Sequence, residues 1–234
     1  INGKNITNGK SVDLMLIVSP ANLLYRYMPL YYLYLAGYLE KYGFKVCIVE
    51  PHFRIGLSQL DNDKNFKFIL NEVKEKNPKF IGFASFVTDY DVVLDLAKQV
   101  RKISNATTLI GNAQPSISSE DYVYDGSPFD ICVRGEGELT TKAILESKGD
   151  LDSLYKIEGI SFFDKNKIQS DGKKGSVVVN ANRGLVDMKE LGQPAYHLID
   201  MKWYTTPSKY ILRRLVTSAA TTYISRGCPY KCTF

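Results

Sequence analysis

Apolar positions along this chain fall into short continuous runs, each followed by an amphipathic stretch of helical length. Val12-Asp13-Leu14-Met15-Leu16-Ile17-Val18-Ser19 is apolar almost throughout and is ended by Pro20. A run of that length without alternation suits a strand buried on both faces of a parallel sheet. Residues 44–50, 80–85, 107–111 and 129–134 repeat the pattern. Between them, residues 29–43 read as a helix with Pro29 at its first turn and Gly43 at its stop. Residues 61–77, closed by Pro78, residues 89–103 and residues 136–146 read as further helices. A short helix is expected from Ser118-Ser119-Glu120, with serine as its cap.

Five alternations of strand and helix predict an α/β fold with a doubly wound, five-stranded parallel sheet over residues 1–150. Right-handed crossovers and the flavodoxin-like (Rossmann-like) order 2-1-3-4-5 follow. After Lys148 the pattern changes. Residues 157–163, 167–169 and 176–180 read as short strands joined by turns at Asp164-Lys165-Asn166 and Asp171-Gly172. Residues 182–194 read as an extended connector, and Pro194-Ala195-Tyr196-His197 as the start of a short helix. Residues 151–208 are therefore expected to be a β-rich extension and linker. Residues 209–220 fit strand or helix. Thr221-Thr222-Tyr223-Ile224-Ser225 is β-prone and breaks at Gly227.

Composition narrows the class without naming a function. The 234 residues are 44% hydrophobic and 24% charged, which suits an ordinary folded chain rather than a disordered one. A net charge of +5 on scattered lysines is a solubility feature, and no nucleic-acid partner is expected. No run is long enough to span a bilayer, and no signal-peptide pattern opens the chain. Ile1 stands where an initiating methionine would, so an earlier start is expected. Four cysteines in a chain of this size do not make a disulfide framework. Cys47 and Cys132 sit inside apolar strands and read as buried, inert thiols. A reducing, cytoplasmic compartment is expected.

In an open sheet of this kind the ligand crevice lies at the C-terminal ends of the strands. Ser19 and Pro20, Ser85, Phe86 and Thr88, Gly111, Asn112 and Ala113, and Gly135, Glu136 and Gly137 would line it. The first strand–helix loop has no Gly-x-Gly-x-x-Gly for a dinucleotide, and no phosphate-cradling P-loop occurs anywhere. The same loop is too apolar for a flavin phosphate and lacks the clustered carboxylates of a Mg²⁺-binding receiver domain. Tyr25, Tyr27, Tyr31, Tyr32 and Tyr34 form an aromatic cluster that packs the first helix on the sheet, with some rings free to cover a ligand. Glu136 and Glu138 read as solvated acids of a helix start, where the helix dipole favours them. His52, in Glu50-Pro51-His52-Phe53-Arg54-Ile55-Gly56, reads as a loop histidine, and His197 as an interdomain packing residue.

Near its end the chain runs Ser225-Arg226-Gly227-Cys228-Pro229-Tyr230-Lys231-Cys232-Thr233-Phe234. This resembles the opening of a radical S-adenosylmethionine (SAM) enzyme, whose first barrel strand leads into a Cys-x-x-x-Cys-x-x-Cys loop. The resemblance implies that Cys228 and Cys232 are two of three thiolate ligands of a 4Fe-4S cluster, the third falling just past Phe234. Residues 209–234 would then begin a radical SAM barrel. Further upstream, the helix Pro29-Leu30-Tyr31-Tyr32-Leu33-Tyr34-Leu35-Ala36-Gly37-Tyr38-Leu39-Glu40, the segment Arg134-Gly135-Glu136-Gly137-Glu138 and Gly192-Gln193-Pro194-Ala195-Tyr196 are similar to segments of the cobalamin-binding radical SAM enzymes. That resemblance implies that the cobalamin nucleotide tail occupies the crevice, with Ser85, Thr88 and Gly111 making room for it. The chain departs from the family at Gly111-Asn112-Ala113-Gln114, where the family has Gly-Gly-x-His. Its implied activity is that of a methyltransferase working through a 5′-deoxyadenosyl radical, with cobalamin, SAM and the cluster as cofactors. Its implied partners are its own C-terminal barrel and a small-molecule or peptide substrate. No catalytic residue lies within residues 1–234 on this reading, and the chain alone is expected to be inactive. The competing reading, which Asn112 favours, is a docking module that binds no cobalamin.

Overall fold

The computed structural model describes residues 12–22, 28–51, 61–169, 171–212, 215–218, 220–227 and 230. Tyr25, Tyr27, His52, Cys228 and Cys232, on which several expectations rest, lie outside these residues.

Parallel strands β1 (Leu14–Ile17), β2 (Val46–Val49), β3 (Phe80–Ala84), β4 (Thr107–Gly111) and β5 (Ile131–Val133) alternate with helices. These are α1 (Leu30–Lys41), α2 (Asn62–Lys76), α3 (Tyr90–Arg101), α4 (Ala113–Ile117) and α5 (Gly137–Ser147). The spatial order of the parallel part is 2-1-3-4-5. The expected five-stranded, all-parallel sheet needs correcting, because α6 (Leu151–Leu154) leads into two antiparallel strands that continue it. β6 (Ile160–Ile168) pairs with β5, and β7 (Lys174–Val179) pairs with β6, giving one mixed seven-stranded sheet. The turn expected at Asp164-Lys165-Asn166 is a register shift inside β6. Asp164 holds it, accepting from Asn166 N at 2.8 Å and from the Tyr155 hydroxyl at 2.6 Å. Short polar residues thus stitch a bulge into a strand instead of ending it.

Local chemistry explains the helix boundaries. Asp61 caps α2 by accepting from Lys64 N, and Asn77 closes it in the left-handed region. The short helix expected near Ser118 is a 3-10 turn over Ser119–Asp121 with Ser118 at its cap position, and α4 precedes it. The cap of α4 is Asn112, whose side chain accepts from Ala113 N, while the Ser118 side chain makes no capping bond in the turn that follows.

The sheet separates two apolar cores. Leu14, Leu16, Val18, Phe80, Leu109, Ile131 and Val133 face α1, α5 and α6 on one side. Met15, Ile17, Ile81, Phe83, Ile110 and Cys132 face α2 and α3 on the other. Helix α1 is buried on nearly every side, as a helix apolar all round must be. Its outward side is covered by the connector, which contains α7 (Met188–Leu191), and by the residues after it, which contain α8 (Met201–Thr205). Leu191, Ala195 and Tyr204 join its core. Ala195 N donates to the Leu33 carbonyl at 2.9 Å. A Cβ added at Gly37 would lie 2.1 Å from the Gln193 carbonyl oxygen, so this crossing requires glycine. Beyond α8, the undecided stretch forms a hairpin of β8 (Ser208–Leu212) and β9 (Leu215–Thr217). Among the described residues no helix is long and apolar enough to cross a membrane.

Candidate functional site

A cleft of about 710 Å³ lies on the α1/α5 side of the sheet. That size falls within the range of small-molecule and cofactor sites. Leu14, Leu16, Gly82 and Leu109 make its apolar floor, while α1 (Tyr31, Tyr32, Leu35) and α5 (Gly137, Glu138, Thr141) make its walls. Its space comes from missing side chains: the floor positions of β3 and β4 include Gly82, Ala84 and Gly111, with Ala84 paired to Gly111. Ligands enter α/β sheets at the carboxyl ends of the strands, and here Asn112, Ala113, Ser116 and residues 135–137 form a polar mouth at that end.

The mouth is tied together by hydrogen bonds. Ser116 Oγ donates to the Asn112 carbonyl at 2.7 Å and accepts from Gly135 N at 3.0 Å. Glu136 accepts from Val186 N at 3.0 Å, fastening the connector to the start of α5. Glu138 corrects the expectation of a solvated acid: it is 3% exposed, and its carboxylate accepts from the Arg226 guanidinium at 2.6 Å. Arg226 also lies 5.1 Å above the Tyr34 ring and 5.5 Å from that of Tyr223, which stack on each other. A buried acid needs such a partner, and the aromatic faces add cation–π attraction. The segment holding Tyr223, Ser225, Arg226 and Gly227 thereby closes one side of the cleft.

Of the residues read from the sequence, Gly111, Asn112, Ala113, Gly135, Glu136 and Gly137 come together at this mouth. The others stand aside from the lining. Ser19 and Pro20 are buried after β1, and Thr88 is exposed. Phe86 is exposed and meets Tyr31 edge to face. Ser85 is fully buried and occupied internally, its hydroxyl 3.2 Å from that of Tyr122 and 3.3 Å from the Asp89 carboxylate. Burial raises the pKa of Asp89, against the Phe86 N–H and the neighbouring serines, which lower it. Tyr32 packs α1 on the sheet, donating to the Ile17 carbonyl at 3.0 Å. His197 is mostly exposed and sits 3.1 Å from Glu40. Cys47 and Cys132 are buried and free, and burial pushes each thiol up to about 12.

Sequence reasoning missed the floor and the Glu138–Arg226 pair. Gly82, lone in an otherwise apolar strand, was the available signal for a close approach. Nothing local to Glu138 announces a partner 88 residues away.

A sequence model of the B12 binding domain matches residues 19–145, more than half of the chain. The chain belongs to the B12-binding domain family. An uncharacterised methyltransferase of Pyrococcus horikoshii is 24% identical over 75% of this chain and 35% of its own length. Cytidylyl-2-hydroxyethylphosphonate methyltransferase of Streptomyces wedmorensis is 26% identical, over 94% and 47%. The anaerobic magnesium-protoporphyrin IX monomethyl ester cyclase of Cereibacter sphaeroides is 20% identical, over 88% and 31%. The chain thus spans between 31% and 47% of the length of these relatives.

Proposed function

We propose that the chain is the cobalamin-binding portion of a larger enzyme, and that the enzyme is a radical SAM methyltransferase acting on an unactivated centre. The observation that carries the first part is the cleft itself, most of whose lining residues lie inside the span matched by the B12-binding family, with β1 and residues 223–227 adding the rest. Its contents fit the tail of the cofactor. The apolar floor of Leu14, Leu16, Gly82 and Leu109 suits a flat, apolar benzimidazole, and the polar mouth suits the ribose and phosphodiester that follow it.

When bound, cobalamin supplies a transferable methyl group or a one-electron partner. The chain's own residues do the holding. Tyr31, Leu35 and Thr141 exclude water from the tail, while Ser116 and Gly135 fix the mouth. The Glu138–Arg226 pair anchors the segment that leads to Cys228. The resemblance at Cys228 and Cys232, together with the names of the relatives, supports the radical and methyl-transfer part of the reading.

The test is titration of the 234-residue chain with hydroxocobalamin, followed by gel filtration and absorbance. Stoichiometric co-elution of the corrin absorbance with the chain is expected. Absence of retention at tens of micromolar, by this chain and by the full-length protein alike, would leave the docking-module reading in its place.

A further inference from the structure

The segment 221–227 supplies one side of the cleft without belonging to any described strand or helix. Of its residues only Arg226 is not exposed; Ile224 is 93% exposed and Tyr223 39%. A segment that buries so little apolar surface opens at low cost. What holds it is a short set of polar and aromatic contacts. The Tyr196 hydroxyl donates to the Thr221 carbonyl at 2.8 Å. The Tyr34 hydroxyl of α1 lies 3.0 Å from Thr222 Oγ1 and accepts from Tyr223 N at 3.3 Å, while the rings of Tyr34 and Tyr223 stack.

The deepest of these contacts is Arg226 on Glu138, with side chains 15% and 4% exposed. It joins the segment to α5, whose Gly137, Glu138 and Thr141 themselves line the cleft. Tyr34 joins the same segment to α1, which lines the cleft with Tyr31, Tyr32 and Leu35. Both walls therefore meet at the Arg226 guanidinium, which is bonded to a carboxylate of one and lies over a ring of the other. Unseating the segment would strand the buried Glu138 charge, so the joint has two distinct states rather than a range. A ligand that touches these walls favours the seated one.

We propose that Arg226 and Glu138 are positioning residues that couple occupancy of the cleft to the seating of residues 221–227. A corrinoid tail in the cleft secures the segment, and the seated segment tightens the corrinoid by the same factor. The inference rests on the cobalamin reading above and adds a regulation to it. Cys228 follows two residues after Arg226, so a filled cleft fixes the start of the stretch read as the cluster loop.

The test is hydrogen exchange of residues 221–227, read by mass spectrometry with and without saturating hydroxocobalamin, beside equilibrium dialysis of the same ligand. The 234-residue wild-type chain is compared with the double variant Arg226→Met, Glu138→Gln, which leaves no buried charge stranded. Thermal melts establish that the variant folds. In the wild type, hydroxocobalamin should slow exchange of this segment about tenfold, a middling value for coupling between sites. In the double variant that slowing should vanish, and hydroxocobalamin should bind about tenfold more weakly. A merely structural pair would change exchange in the free variant but leave the ligand's effect and its affinity as they are, and that result overturns the inference. Equal exchange with and without ligand, in a wild-type chain that binds it, also overturns the inference and leaves the cobalamin reading standing. Failure of the wild-type chain to bind hydroxocobalamin at all overturns that reading and this inference together.

Discussion

The two faces of the sheet are built from the same strands yet do opposite things. On the α2/α3 face, β3 and β4 present Ile81, Phe83 and Ile110, and Phe83 meets Phe129 edge to face with ring centroids 5.7 Å apart. On the α1/α5 face the neighbouring positions are Gly82, Ala84 and Gly111, and a cleft stands where side chains would be. Successive residues of a strand point to opposite faces, so one strand can fill one side and leave the other open. The cleft is held open by the full packing behind it, because a close-packed layer does not yield to fill a gap across the sheet.

The largest effect should come from opening the filled face. Phe83→Ala is expected to destabilise the fold by about 3–5 kcal/mol, measured by chemical denaturation. A loss below about 1 kcal/mol would mean that this face is not the support described. Next comes the charge on the cleft side. Burial pushes the Glu50 carboxyl from 4.5 up to about 7, partly offset by the Tyr204 hydroxyl that donates to it. A carboxyl raised in the folded state favours the neutral form. Its contribution is therefore complete below about pH 4.5 and is lost as pH rises through about 7, up to about 3 kcal/mol in all. Glu50→Gln should flatten the stability profile across that window. An unchanged slope would place the titrating group elsewhere.

Filling the open face should act on binding before stability. A Cβ at Gly82 already comes 2.7 Å from the Leu16 side-chain tip, which can turn away only into the cleft or its walls. Gly82→Leu should weaken hydroxocobalamin by at least about a hundredfold, roughly 2.7 kcal/mol, with the far-UV spectrum retained. Undiminished binding in a folded variant would move the ligand away from this floor. The smallest effect is expected at the rim, where Ile117 is 81% exposed. Ile117→Ser should change stability by less than about 0.5 kcal/mol, and a larger change would show hidden packing there.

The same contrast marks how much could be read in advance. Continuous apolar runs ended by Pro20 or followed by amphipathic helices made the parallel strands legible. The glycine-rich corners near Gly111 and Gly135 made the mouth legible. The floor was not, because Gly82 inside an apolar run looks only like a weakened strand until its neighbours across β1 and β4 are known. Strand β6 was divided in the reading because Asp164-Lys165-Asn166 has turn chemistry. In the fold, Tyr155 and the β7 register absorb that chemistry as a bulge. Ser85 was placed in the crevice by its position after a strand, but its hydroxyl is engaged by Asp89 and Tyr122, which no local pattern discloses.

The crossing of residues 193–195 over Gly37 also sets an order of events during synthesis. Helix α1 leaves the ribosome early, with Leu33, Ala36 and Tyr38 destined to be fully buried in the finished fold. The chain that covers it arrives only with Leu191, Ala195 and Tyr204. At 5–20 residues per second that interval is roughly ten to thirty seconds. Throughout it the nascent sheet carries a bare apolar helix that the ribosome or a chaperone must shelter, so slow translation between α1 and α8 lengthens exposure to aggregation rather than aiding the fold.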